Sequence, residues 1–150
     1  METSGFLTGN FDLVISDQVI EHVQNPLQML KNIRKALVEN GVLSLATPNF
    51  GGASFNLLAD SWKNTAPGDH ISMFTPRVLE NYLVTAGFKV LDWWIGGCSM
   101  YQRRNRYDEY SAVFSQDFQD FFKTLTQQIE QSQFGDAMHF ICQKVSKAKL

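Results

Sequence analysis

The sequence predicts an α/β fold, a sheet flanked by helices, and three observations carry that reading. From Phe11 to Ser16 the chain is a continuous apolar run broken only by Asp12, the pattern of a strand buried on both faces in a helix-covered parallel sheet. A helical apolar stripe and a second apolar run at residues 42–46 follow it, completing a strand–helix–strand crossover. A third strand is read at residues 88–94 and a fourth at 137–145, each preceded by a helical stripe, and they extend the same pattern.

Each element has its own local signals. Residues 1–10 carry Thr3, Ser4, Gly5, Thr8, Gly9 and Asn10 and read as a frayed lead-in. After the first strand, Asn25 supplies a helix cap and Pro26 occupies the first helical position, where its missing N–H costs nothing. Leu27, Leu30, Ile33 and Leu37 recur at helical spacing, and Asn40-Gly41 marks a stop, so the helix is expected over residues 26–39. The strand at 42–46 ends at Thr47-Pro48. Residues 50–74 show no period and hold Gly51, Gly52, Pro67 and Gly68 beside several aromatics. They read as a lid-like segment with a helical turn over residues 54–60.

Thr75-Pro76 repeats the cap-plus-proline start, and Val78, Leu79, Tyr82, Leu83 and Ala86 form the inner stripe of a helix that stops at Gly87. A polar loop covers residues 96–110. Phe114, Phe118, Phe121, Phe122, Leu125 and Ile129 then trace an amphipathic helix with Ser115 as its cap and Gly135 as its stop. A tail covers residues 146–150. No repeat or internal linker interrupts the 150 residues, so a single domain is expected.

Composition narrows the function classes. Apolar residues make up 44% and charged residues 19%, a globular balance, and the formal charge of −2 offers no basic footprint for nucleic acid. Arg103, Arg104 and Arg106 form a short, interrupted basic cluster that reads as a solvated loop. Cys98 and Cys142 have no ligand or redox spacing, as in a reduced cytosolic protein. The chain has no signal-peptide pattern at its start and no window long and apolar enough to span a membrane, so a cytoplasmic location is expected.

The pieces Phe11-Asp12-Leu13-Val14, Glu21-His22-Val23, and Gly41 leading into Val42-Leu43-Ser44-Leu45 together resemble the fourth and fifth strands of class I S-adenosylmethionine-dependent methyltransferases. The nearest group is the one containing ubiquinone-biosynthesis-like and sugar methyltransferases. Its P…H…F pattern is matched by Pro67, His70 and Phe74, and its AGF turn by Ala86-Gly87-Phe88. The resemblance covers about residues 11–95. It implies a Rossmann-like sheet of which this chain supplies family strands 4-5-7-6, the seventh antiparallel, so the chain reads as the C-terminal half of the fold. The family's glycine-rich loop and the acidic residue that holds the cofactor ribose have no counterpart here; Gly51-Gly52 follows the wrong strand.

Several candidate site residues follow. The resemblance places Ser16, Asp17 and Gln18 along the methionine end of S-adenosylmethionine, at the carboxyl edge where α/β sheets bind ligands. His70 in the lid is the candidate catalytic base, since an imidazole accepts a proton at neutral pH from a hydroxyl acceptor. Phe55, Trp62 and Phe74 would line the acceptor pocket or serve as plain core. Glu21 and His22 read either as an acid–base pair or as structural residues, and an extended backbone, which points adjacent side chains apart, favours the second. No metal set is expected, because His22, His70 and His139 are scattered in sequence.

Two functions remain open. One is part of a methyltransferase acting on a small-molecule acceptor at oxygen, inactive or nearly so by itself. The other is a non-enzymatic module that binds a protein partner through its open strand edge. On either reading the strand from Phe11 to Ser16 lacks a neighbour on one side, an edge prone to homodimerisation or partner pairing.

Overall fold

The computed structural model describes residues 8–59, 62, 68–97 and 115–146. Pro67, Cys98, the loop bearing Arg103, Arg104 and Arg106, and the tail from residue 147 lie outside the described residues.

Strands β1 (Phe11–Asp17), β2 (Leu37–Pro48), β3 (Phe88–Gly96) and β4 (Ala137–Lys144) form one sheet in the order β1-β2-β4-β3. β1 is parallel to β2, and β4 lies antiparallel between β2 and β3. This is the 4-5-7-6 arrangement that the resemblance implies. The helices are α1 (Pro26–Ala36), α2 (Ala53–Leu58), α3 (Pro76–Thr85) and α4 (Gln116–Gln131), with a short 3-10 turn at Ile20–His22. The helical turn expected near residues 54–60 is α2.

α1 starts as its sequence requires: the Asn25 side chain accepts a hydrogen bond from the Gln28 N–H at 2.9 Å, and Pro26 follows. It ends three residues sooner than expected. Leu37 is already extended (φ −73°, ψ 142°), although its side chain stays buried as the helical stripe demands. The Asn40-Gly41 pair is therefore a bulge inside β2 rather than a helix stop. The β1–β2 register jumps there from Phe11 opposite Leu37 to Leu13 opposite Val42, and Asn40 adopts φ +62°. The buried Lys144 ammonium donates to the Leu37 carbonyl at 2.7 Å and pairs with Glu39 at 3.0 Å, holding this detour against β4.

α3 likewise begins after Thr75, whose hydroxyl makes no capping bond, and ends at Gly87 with φ +88°. The chain leaves α4 at Gln131, four residues before Gly135. Leu125 and Ile129 are its half-buried stripe, while Phe121 is exposed.

α1 and α3 pack together on one face of the sheet. Leu30, Leu79 and Leu83 from the helices meet Leu43 and Leu45 of β2, Phe88 of β3, and Met138, Phe140 and Cys142 of β4. The expectation that β1 is buried on both faces is corrected here. Val14 is half-buried and Ser16 buried on the helix side, but Phe11, Leu13 and Ile15 are exposed, because no described element covers the opposite side of β1.

Candidate functional site

β1 and β2 end side by side at the carboxyl edge of the sheet, the position where open α/β sheets bind ligands. Ser16 lies there with its Oγ buried and without a hydrogen-bond partner. Asp17 and Gln18 are exposed beyond it, and Gln18 turns the chain with φ +52° while its N–H bonds the Ala46 carbonyl at 3.0 Å. The three residues read from the sequence as the cofactor edge thus sit together on one rim.

The turn at Ile20–His22 changes the reading of Glu21 and His22. The backbone there is not extended, so the two side chains do not diverge. Glu21 is fully buried; its Oε2 accepts from the Thr47 hydroxyl at 2.8 Å, and its Oε1 has no hydrogen-bond partner. The His22 Nε2 stands 3.7 Å from that Oε1. On the other side of the ring, Nδ1 lies 2.7 Å from the Asp69 carbonyl oxygen and 3.3 Å from the Asp69 carboxylate. A carbonyl oxygen only accepts, so Nδ1 carries the proton and, in the neutral ring, Nε2 presents its lone pair towards Glu21.

His70 completes the group. Its ring meets that of His22 edge-on, with centroids 4.6 Å apart and planes at 70°. The segment that brings it there is fastened by two bonds to one acceptor: the Ile71 and Ser72 N–H groups donate to the Glu21 carbonyl at 2.8 and 3.0 Å. The third histidine, His139, lies elsewhere, stacked on Trp94 at 5.0 Å. The fold therefore brings together two histidines that are 48 positions apart in sequence, numbers 22 and 70.

The three aromatics read as a pocket do not form one group. Phe55 and Trp62 join Phe50 in a cluster, with ring centroids 5.1 to 6.2 Å apart. Phe74 instead packs edge-on against Tyr82 and belongs to the main core. The start of the segment that carries Phe50 and Phe55 is fixed by buried polar groups. Asn49 donates to the Gly135 carbonyl at 2.8 Å and accepts from the Gly51 N–H at 2.9 Å, while Asp136 accepts from both the N–H and the hydroxyl of Ser54. Gly52 permits this closeness, since a Cβ there would stand 2.5 Å from the Gly135 carbonyl oxygen and 2.9 Å from the Asp136 carboxylate. Sequence reasoning missed Thr47 as the partner of Glu21 and Asp69 as the residue that orients His22. Only a polar residue ending the apolar run of β2 hinted at the first.

A family model described as a methyltransferase domain matches residues 2–92. No curated protein matches the sequence. Solved structures of similar fold include a putative sarcosine dimethylglycine methyltransferase from Galdieria sulphuraria, with TM-score 0.58 and 15% identity, covering 95% of this chain and 58% of that one. A SAM-dependent methyltransferase from Archaeoglobus fulgidus has TM-score 0.58 and 15% identity, covering 92% of this chain and 61% of that chain. Phosphoethanolamine N-methyltransferase 2 from Haemonchus contortus has TM-score 0.59 and 19% identity, covering 94% of this chain and 35% of that chain. The chain thus spans less than two thirds of the length of each of these three. With the matched span exceeding half of the sequence and the sheet order agreeing, this chain belongs to the methyltransferase domain family, on the class I S-adenosylmethionine-dependent fold.

Proposed function

We propose that the chain is the acceptor-side, C-terminal half of an S-adenosylmethionine-dependent methyltransferase that methylates a small-molecule acceptor at oxygen. The observation that carries this reading is the convergence of Glu21, His22, Asp69 and His70 at the carboxyl edge, beside Ser16, Asp17 and Gln18. The cofactor supplies a methyl group on a cationic sulfur. The residues present fit one end of it. Ser16 has a buried hydroxyl seeking a partner, and Asp17 and Gln18 offer exposed polar groups on the same rim, whereas no glycine-rich cradle or ribose-binding acid occurs in the sequence. His70 takes the acceptor proton, and His22 braces its ring, itself held by the Asp69 carbonyl. Phe50, Phe55 and Trp62 supply an apolar wall at the lid, with Phe74 behind it in the core.

On this reading the chain binds the cofactor only weakly, since positioning depends on contacts it does not make. Titrating the isotopically labelled chain with S-adenosylhomocysteine, followed by amide NMR, is expected to shift Ser16 to Gln18 and their neighbours without saturating at micromolar ligand. Shifts confined to other parts of the sheet would remove the cofactor assignment, and tight micromolar binding would remove the half-fold reading.

A second reading has its own support. Phe11, Leu13 and Ile15 are 43%, 51% and 70% exposed on β1, whose outer edge pairs with no strand among the described residues. Such an edge suits a protein-binding module or a homodimer seam. Sedimentation over a hundredfold concentration range distinguishes the readings: a monomer throughout disfavours self-pairing.

A further inference from the structure

We propose that Glu21, His22 and His70 form a binding site for a divalent first-row transition-metal ion, an inference that goes beyond the methyl-transfer reading and does not depend on it. One ligand atom from each residue lies within 4.8 Å of the other two. The set is two imidazoles and one carboxylate, donors that suit zinc, iron, cobalt and nickel better than the oxygen-seeking magnesium or calcium.

Three features separate this group from a chance meeting of polar side chains. The Glu21 carboxylate is fully buried, and its Oε1 has no hydrogen-bond partner, an expensive state for an ionisable group unless something positive meets it. Its other oxygen is oriented by the Thr47 hydroxyl, which leaves Oε1 as the atom pointed towards His22. His22 is prepared in the same sense. By donating Nδ1–H to the Asp69 carbonyl it keeps Nε2 as a lone-pair donor, 3.7 Å from Oε1. Metal-binding histidines are typically fixed in this way, with the second ring nitrogen bonded to a backbone carbonyl or carboxylate.

The spacing is compatible with coordination. Bonds of about 2.0–2.2 Å place two ligand atoms of one ion roughly 3–3.4 Å apart. The Glu21–His22 separation needs only a few tenths of an ångström of closure, and the ligand atom of half-buried His70 closes from within 4.8 Å. Three protein ligands leave coordination positions for water or for an oxygen or nitrogen donor, as in sites that act on bound ligands rather than serve as closed structural clips. His22 keeps 35% of its side chain exposed, so solvent and small ligands reach the group from one side.

Spacing in the sequence hides such a site. Glu21 and His22 are adjacent and His70 is distant, a pattern unlike any local ligand motif; the bonds from Ile71 and Ser72 to the Glu21 carbonyl and from His22 Nδ1 to the Asp69 carbonyl draw the pieces together.

The test is a Co²⁺ titration of the tag-free chain. One equivalent is expected to develop weak visible absorption bands, which excess Zn²⁺ bleaches by competing for the same imidazole and carboxylate donors. Glu21→Gln and His70→Ala should each weaken Co²⁺ binding tenfold or more, and His139→Ala, on the far stack with Trp94, should leave it unchanged. Should a variant fail to fold, histidine ring NMR of the unaltered chain gives an independent answer: Co²⁺ is expected to shift or broaden His22 and His70 and to spare His139. Absence of bands at millimolar Co²⁺, binding indifferent to both substitutions, or ring perturbations confined to His139 would each overturn the site.

Discussion

On the face of the sheet packed by the helices, Leu43, Leu45, Met138, Phe140 and Cys142 are each at most 1% exposed; on the other side of β1, Leu13 and Ile15 stand 51% and 70% exposed. The sheet thus presents a finished interior to α1 and α3, while the reverse of β1 is an apolar surface that no described element covers. On β1 the difference is one of cover rather than composition, since Phe11, Leu13 and Ile15 are as apolar as the buried set. Burial of one face by two helices is enough to hold the register of all four strands, because a one-residue slip would move the buried set into solvent. The reverse of β1 contributes little to that, since Phe11, Leu13 and Ile15 stay exposed.

The largest effect is expected on the covered face. Phe140 is 1% exposed and stacks on Trp93 at 5.9 Å, so Phe140→Ala should cost about 3–5 kcal/mol in urea unfolding. A loss under about 1 kcal/mol would mean that this face is not the core. Cys142 reports on the same face by chemistry. Burial pushes its thiol up to about 12 from the ordinary 9.0, so at pH 8 roughly a thousandfold less thiolate is available than for a free cysteine. Alkylation followed by peptide mass mapping should leave Cys142 unmodified until denaturant is added. The sign of the linkage follows: because the folded value lies above the unfolded one, the thiol's share of stability is intact below about pH 9 and is lost as pH climbs towards 12.

These covered positions are also where the sequence was easiest to read. Alternating Leu43 and Leu45, the cap and proline at Asn25-Pro26, and the stop at Gly87 are local signals, and each appears in the structure as local chemistry requires. The sheet order followed from the resemblance rather than from periodicity. What escaped was set by partners distant in sequence. Leu37 satisfies a helical stripe and a strand start equally well, and the Lys144 bond to its carbonyl, from the last strand, accompanies the second choice. Glu21 and His22 looked divergent because nothing nearby announced the 3-10 turn, or the hydroxyl of Thr47 waiting on β2.

A middle-sized effect should come from that hydroxyl. Thr47 is fully buried and holds Glu21 Oε2, so Thr47→Val keeps the shape while leaving both carboxylate oxygens without a hydrogen bond. A loss of about 1–3 kcal/mol is expected in chemical denaturation, the cost of an unsatisfied buried acceptor. Glu21→Gln combined with Thr47→Val should cost less than the sum of the two single changes, since both act on one bond. Strict additivity would show that the Thr47 hydroxyl stabilises the strand end by some other contact.

The smallest effect on stability is expected on the open side, where it is most telling. Ile15 is 70% exposed and lies opposite Ser44, so Ile15→Lys removes apolar surface that the chain itself does not bury. Its unfolding free energy should change by no more than about 0.5 kcal/mol, the range of ordinary surface substitutions. Association should respond strongly instead, because a lysine blocks an edge strand from pairing and breaks the apolar stripe of Phe11, Leu13 and Ile15. If the unaltered chain forms a concentration-dependent dimer in sedimentation and Ile15→Lys is a monomer of equal stability, the open side is an interface independent of the core. If instead the substitution unfolds the chain, the two faces are not independent, and the reverse of the sheet carries part of the fold.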